Sequence, residues 1–106
     1  MSLDGFTDIA AVDELPDKGF VVKAADDVQI VLARYDGGVH AVENLCSHAF
    51  ARFDGGRLRG YRLMCPLHGA CFDIRTGATM GPPAAHGIRS FPVEIVDDRV
   101  FVKLEA

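Results

Sequence analysis

Apolar positions in this chain alternate over short runs and nowhere keep a helical spacing for three turns. Residues 20–24, Phe-Val-Val-Lys-Ala, form a brief β-prone run. A turn is predicted at Asp26-Asp27, followed by a strand over 28–35, Val-Gln-Ile-Val-Leu-Ala-Arg-Tyr. Asp36-Gly37-Gly38 is a strong hairpin signal, with residues 39–43 as the return strand. A second hairpin is predicted from residues 90–96 and 99–105 around Asp97-Asp98, with Val100, Val102 and Leu104 on one face. Turn signals recur about every ten residues, the rhythm of an all-β antiparallel sandwich or barrel. Between Asp8 and Asp17 there is room for one helical turn around Asp13-Glu14-Leu15, ended by Pro16.

The middle of the chain is different. Residues 45–90 carry Gly55-Gly56, Gly60, Gly69, Gly77, Gly81-Pro82-Pro83 and Gly87, and read as loops and very short strands inserted between the hairpins. Such a section is expected to have little core of its own and to need a brace, for which a metal centre is the natural candidate. The expectation is one domain over 1–106, with a base formed by 1–44 and 86–106 and a loop-rich part at about 45–85. A length of 106 residues, 49% of them apolar and 25% charged, suits one globular domain and leaves no room for a nucleotide-binding dehydrogenase, a (β/α)₈ barrel or a kinase. No apolar run approaches the roughly 20 residues of a membrane helix, so no membrane is expected. Met-Ser-Leu-Asp-Gly-Phe is not the start of a secretory signal, which makes the cytoplasm the expected compartment.

Net charge is −4, which argues against nucleic acid as a partner. Its distribution is uneven. Residues 1–44 carry three bases and nine acids, residues 45–90 six bases and two acids, and residues 91–106 two bases and four acids. All three cysteines also lie in the basic middle section. An odd number of cysteines without a secretory signal favours metal over a disulfide framework. Cys46-Ser47-His48 is a C-x-H pair, and sixteen residues later Cys65-Pro66-Leu67-His68 is a C-x-x-H pair. Two thiolates and two imidazoles suit zinc or an iron–sulfur centre. Structural zinc sites of this composition commonly put two cysteines on one arm and two histidines on the other, whereas here each arm carries one of each.

The pattern Cys46-x-His48-x₁₆-Cys65-x-x-His68 closely resembles the signature of the Rieske [2Fe–2S] family. The similarity extends to Gly69-Ala70, Phe72-Asp73, Thr76-Gly77 and Gly81-Pro82-Pro83-Ala84, and covers about residues 39–104. It implies a small antiparallel β-sandwich or barrel base with a cluster-binding subdomain, and one [2Fe–2S] cluster. Cys46 and Cys65 would bind one iron, and His48 and His68 the other. High-potential relatives bear a further cysteine on each cluster loop, where this chain has Ala51 and Leu67. They also place a serine and a tyrosine hydroxyl by the cluster sulfurs, where it has Ala70 and Phe72. Fewer hydrogen bonds to the sulfurs lower the potential. These departures resemble the ferredoxins of bacterial aromatic-ring-hydroxylating dioxygenase systems.

The resemblance implies a monomeric one-electron carrier between a flavin-containing, NAD(P)H-dependent reductase and a terminal oxygenase. The alternative is the small Rieske subunit of an assimilatory reductase complex such as nitrite reductase. No catalytic residues are expected, since there is no G-x-G-x-x-G fingerprint and no 2-His-1-carboxylate set beyond the four ligands. Cys71 is read as a small, buried or partly buried side chain, His40 as a surface histidine, and His86 as a residue after the proline-bearing loop, within reach of the cluster but without a functional role. Phe50, Pro82 and Pro83 are expected to form an apolar rim around the histidine edge. The arginines at 52, 57, 59, 62, 75 and 89 are either a docking face or solvated surface.

Overall fold

The structure is a computed structural model and describes residues 5–25, 28–45, 52–66, 69–81 and 86–104. Every regular element among them is a strand, apart from one 3-10 turn at Val12–Glu14. No helix among the described residues is long and apolar enough to cross a membrane. The strands are β1 (Phe6–Ala11), β2 (Gly19–Ala25), β3 (Val28–Tyr35), β4 (Gly38–Glu43), β5 (Arg57–Arg59), β6 (Arg62–Met64), β7 (Cys71–Asp73), β8 (Ser90–Phe91), β9 (Val93–Val96) and β10 (Arg99–Lys103). They form three antiparallel sheets, ordered β1-β10-β9, β2-β3-β4-β8 and β5-β6-β7.

The β2-β3-β4-β8 sheet is the middle layer. Ile30, Leu32, Val39 and Ala41 project from one face onto Ala10, Val100 and Val102 of the β1-β10-β9 sheet. Val31, Ala33 and Val42 project from the other face onto Phe53, Leu63, Phe72 and Ile74. Successive strand side chains point to opposite faces, so a strand covered on both sides loses the polar–apolar alternation. That is why residues 30–33 of β3 form an unbroken apolar run, all fully buried.

Both predicted hairpins are present. Tyr35 pairs with Gly38 across Asp36-Gly37, and Val96 with Arg99 across Asp97-Asp98. All four turn residues have positive φ, the type I′ requirement that matches strand twist. The Asp26-Asp27 turn lies outside the described residues.

Three expectations need correction. The segment before residue 12 contains a full strand, β1. It is an edge strand whose register shifts between Asp8 and Ala10, so its period is blurred in the sequence. Residues 90–96 are two strands. Phe91 pairs with Ala41 in the middle sheet and Val93 with Val102 in the outer one. Pro92 lies between them, where it has no N–H to give a ladder, and its carbonyl accepts from Lys103 N. Finally, the middle section has a substantial core. Phe53, Leu63, Cys65, Ala70, Phe72 and Ile74 are buried, because the second face of β3 and β4 gives them an apolar surface to pack on.

Removing a buried aromatic ring costs about 3–5 kcal/mol, whereas trimming an exposed side chain costs little. Phe72→Ala should therefore lower the denaturant midpoint strongly, and Ile95→Ala, which is 44% exposed, by almost nothing. Urea titration of both variants measures the difference.

Candidate functional site

Of the four expected ligands, Cys65 is described, whereas Cys46, His48 and His68 lie outside the described residues, as do Phe50, Ala51, Leu67, Pro82 and Pro83. The described residues hold the ends of the segments that carry these four side chains.

The segment with Cys46 and His48 is closed by Asn44. Its Oδ1 accepts from the backbone N–H of Phe53 at 2.7 Å, and its Nδ2 donates to Asp54 Oδ1 at 3.0 Å. Its own backbone N–H donates to the carbonyl of Gln29 at 2.9 Å. Asn44 is the only buried polar side chain among the described residues. An amide can accept from the backbone N–H on its oxygen while donating to the carboxylate from its nitrogen. Hydrogen bonding from Asn44, with Arg52 alongside, holds the Asp54 carboxyl below its ordinary value.

The segment with Cys65 and His68 is closed at its base by Cys65 N–H donating to Ala70 O at 2.7 Å. Cys65 directly follows β6 and is buried among Phe53, Ala70 and Phe72, while Pro66 and Gly69 beyond it are exposed. Gly69 has φ of 71° and open space where a Cβ would stand.

The two segments are locked to each other. The Phe53 and Phe72 rings meet edge to face, with centroids 5.6 Å apart. Gly56 donates to Phe53 O at 2.7 Å, and a Cβ on Gly56 would collide with Met64 O. That close approach brings the end of one ligand segment against the start of the other. A third segment, 81–87, is anchored at both ends. Met80 N–H donates to Cys71 O, and Ile88 N–H to Gly77 O, where a Cβ on Gly77 (φ 81°) would strike Ile88 O.

These contacts fit the donor chemistry. A thiol fixed in an apolar wall, with the chain beyond it exposed, can hold a soft metal centre that is half shielded and half accessible. Ala70 and Phe72 are both buried beside Cys65 and bring no side-chain hydroxyl.

Cys71 is half-buried, with Sγ 3.4 Å from Gly69 O. His86 is exposed. His40 is not a plain surface residue. It stands on the side of β4 that faces the β5-β6-β7 sheet, in edge contact with Tyr61. Tyr61 packs against Tyr35 and lies under Arg75, which is paired to Asp73 at 2.9 Å. Burial, aided by the Arg75 charge, lowers the His40 pKa. Asn44, Phe53, Gly56 and Gly77 were not singled out from sequence as site residues. Asn44 could have been noticed only as an amide two places before the first cysteine.

Two outcomes are expected. Asn44→Ala leaves the Phe53 N–H unsatisfied at a cost of about 1–3 kcal/mol, and should speed bleaching of the cluster absorbance by a chelator. His40 is favoured neutral in the folded state. Its contribution is complete above the unfolded value of about 6.5 and is lost as pH falls from there toward the lower folded value. The difference in unfolding free energy between wild type and His40→Gln, measured across that window, should show this slope.

The Rieske [2Fe–2S] domain model matches residues 5–92. The ferredoxin component of the naphthalene 1,2-dioxygenase/salicylate 5-hydroxylase systems of Ralstonia sp is 36% identical, over 92% of this chain and 94% of that protein. The ferredoxin component of the naphthalene 1,2-dioxygenase system of Pseudomonas aeruginosa is 33% identical, over 92% and 93%. Among solved structures, the ferredoxin of carbazole 1,9a-dioxygenase from Nocardioides aromaticivorans IC177 superposes with a TM-score of 0.87 at 30% identity, covering 92% of this chain and 95% of that one. A family model spanning most of the chain, relatives matched over nearly their whole length and the same three-sheet architecture lead to one conclusion: this chain belongs to the Rieske [2Fe–2S] domain family.

Proposed function

We propose that this protein is the ferredoxin component of an aromatic-ring dioxygenase system. It takes one electron from an NAD(P)H-dependent flavin reductase and delivers it to a terminal oxygenase. The observation that carries this reading is the mutual anchoring of the C-x-H and C-x-x-H segments through Asn44, Phe53, Gly56 and Phe72, in a chain that matches a ferredoxin component over 94% of that protein. We assign Cys46 and Cys65 to one iron and His48 and His68 to the other, within a cluster-binding part of about 45–85 on a base of 1–44 and 86–106. The bound cluster supplies reversible one-electron storage.

The residues of this chain do the rest. Cys65 is held in the core, so its sulfur keeps one position through the redox cycle. The buried Phe53, Ala70 and Phe72 keep water from that side, while exposed Pro66 and Gly69 leave the opposite side open to a partner. A rigid, one-sided setting suits a carrier that meets two partners in turn through small, short-lived contacts. The cytoplasm is the compartment this assigns, since the electron donor works on a pyridine nucleotide.

Visible absorption and EPR of the purified protein test this reading. Wild type should show a Rieske spectrum with a midpoint near the low end of the range, roughly −150 mV, because positions 70 and 72 lack hydroxyls. Phe72→Tyr should raise it. Cys46→Ser should abolish the spectrum while the β5-β6-β7 sheet keeps its amide protection, since its core does not depend on metal. A colourless wild type, or a midpoint above about +100 mV within the same range, would sink the proposal.

A further inference from the structure

The described arginines divide into two groups. Arg52 is paired with Asp54, Arg75 with Asp73, Arg89 with Glu43 and Arg99 with Asp8, and Arg34 donates to Leu15 O. Arg57, Arg59 and Arg62 have no ion pair among the described residues, and all three are exposed on the β5–β6 hairpin.

They share one face. Leu58, Leu63 and Phe72 point inward to the core, so Arg57, Arg59, Arg62, Met64, Cys71 and Asp73 point outward. Arg59 stands directly opposite Arg62 in the ladder. Like charges so placed have Cβ atoms about 5 Å apart and destabilise the pair. The only carboxylate on this face, Asp73, is occupied by Arg75 through two side-chain contacts and a backbone N–H. Nor is there a shortage of acids, since the chain has fifteen for eleven bases. Asp73 stands opposite Arg62 in the ladder, but its oxygens are taken by Arg75, so this face keeps a net positive charge despite the surplus of carboxylates in the chain.

The hairpin is also close to the site. Arg57 is in register with Met64, which precedes Cys65. At about 3.3 Å per residue, the Arg59–Arg62 pair lies about 10 Å along the strand from Cys65. We propose that the outward face of the β5-β6-β7 sheet, through Arg57, Arg59 and Arg62, is the docking surface for the acidic face of a redox partner protein. Opposite charge speeds encounter and sets orientation more than it adds affinity. A partner carboxylate between Arg59 and Arg62 would relieve their repulsion further than Asp73, which is held by Arg75. This inference rests on the cluster assignment above.

The experiment is stopped-flow oxidation of the dithionite-reduced holoprotein. Each encounter moves one electron from the cluster to the oxidant, and no proton is required. The probes are hexacyanoferrate(III), an anion; hexaammineruthenium(III), a cation; and plant plastocyanin, an acidic one-electron copper protein. Arg59→Gln/Arg62→Gln is compared with Arg99→Gln/Lys103→Gln, which makes the same net-charge change on the β1-β10-β9 sheet. Arg57→Gln serves as an independent single variant. Unchanged visible spectra confirm that each variant keeps its cluster. A colourless wild type would instead defeat the cluster assignment, so the two failures are distinguishable.

The expected result is that Arg59→Gln/Arg62→Gln slows hexacyanoferrate and plastocyanin by roughly tenfold at low salt, the lower bound for electrostatic steering. Arg57→Gln should slow both less, the ruthenium rate should not fall, and the wild-type advantage should disappear as salt rises. Equal slowing by the two double variants would reduce the effect to net charge and overturn the proposal. Slowing of hexacyanoferrate without plastocyanin would overturn it as a protein-docking surface.

Discussion

The centre of strand β3, residues 30–33, has no solvent face, and the architecture follows from that constraint. Ile30 and Leu32 require one apolar cover, Val31 and Ala33 another, and a single sheet cannot supply both. The β1-β10-β9 sheet closes the first side. The section between β4 and β8 folds back over the second, and this places its short strands against that face. Burying one Val, Leu, Ile or Phe side chain is worth about 1.5–3 kcal/mol. With Phe53, Leu63, Phe72 and Ile74 all buried there, the cluster-bearing section is held down by packing before any metal is considered.

The ligand segments themselves are held at their ends. Asn44 joins the ends of one, the Cys65–Ala70 hydrogen bond those of the second, and the Gly77–Ile88 contact those of the proline-bearing third. Each closure pairs buried backbone groups that would otherwise be costly to leave unmade. The glycines at 56 and 77 matter because their neighbours leave no room for a Cβ. Ligand segments closed at their ends in this way are preorganised by their surroundings.

Charge follows the same division of labour. The acids concentrate in the flanking segments and the bases in the middle section. The structure then separates bases that brace the fold, such as Arg75 stacked on Tyr61 and paired to Asp73, from those of the β5–β6 hairpin, which brace nothing described. A carrier with few recognition elements can use such a field to orient its encounters without binding tightly.

The sequence by itself determined the local features. Asp36-Gly37 and Asp97-Asp98 specify their hairpins because type I′ turns need residues tolerant of positive φ. The C-x-H and C-x-x-H pairs specify a candidate centre because ligand chemistry is carried by residue type and spacing. Tertiary structure decided what depends on contacts far apart in the chain. β1 became a strand only by pairing with β10, and Pro92 became a corner because Phe91 and Val93 found partners in different sheets. Asn44 acquired its role only when Phe53 and Asp54 were brought back to it, and His40 became half-buried with the Tyr61 ring at its edge. A side chain's type is written in the sequence. Its burial and its hydrogen-bond partners are properties of pairs, and only the packed layers bring those pairs together.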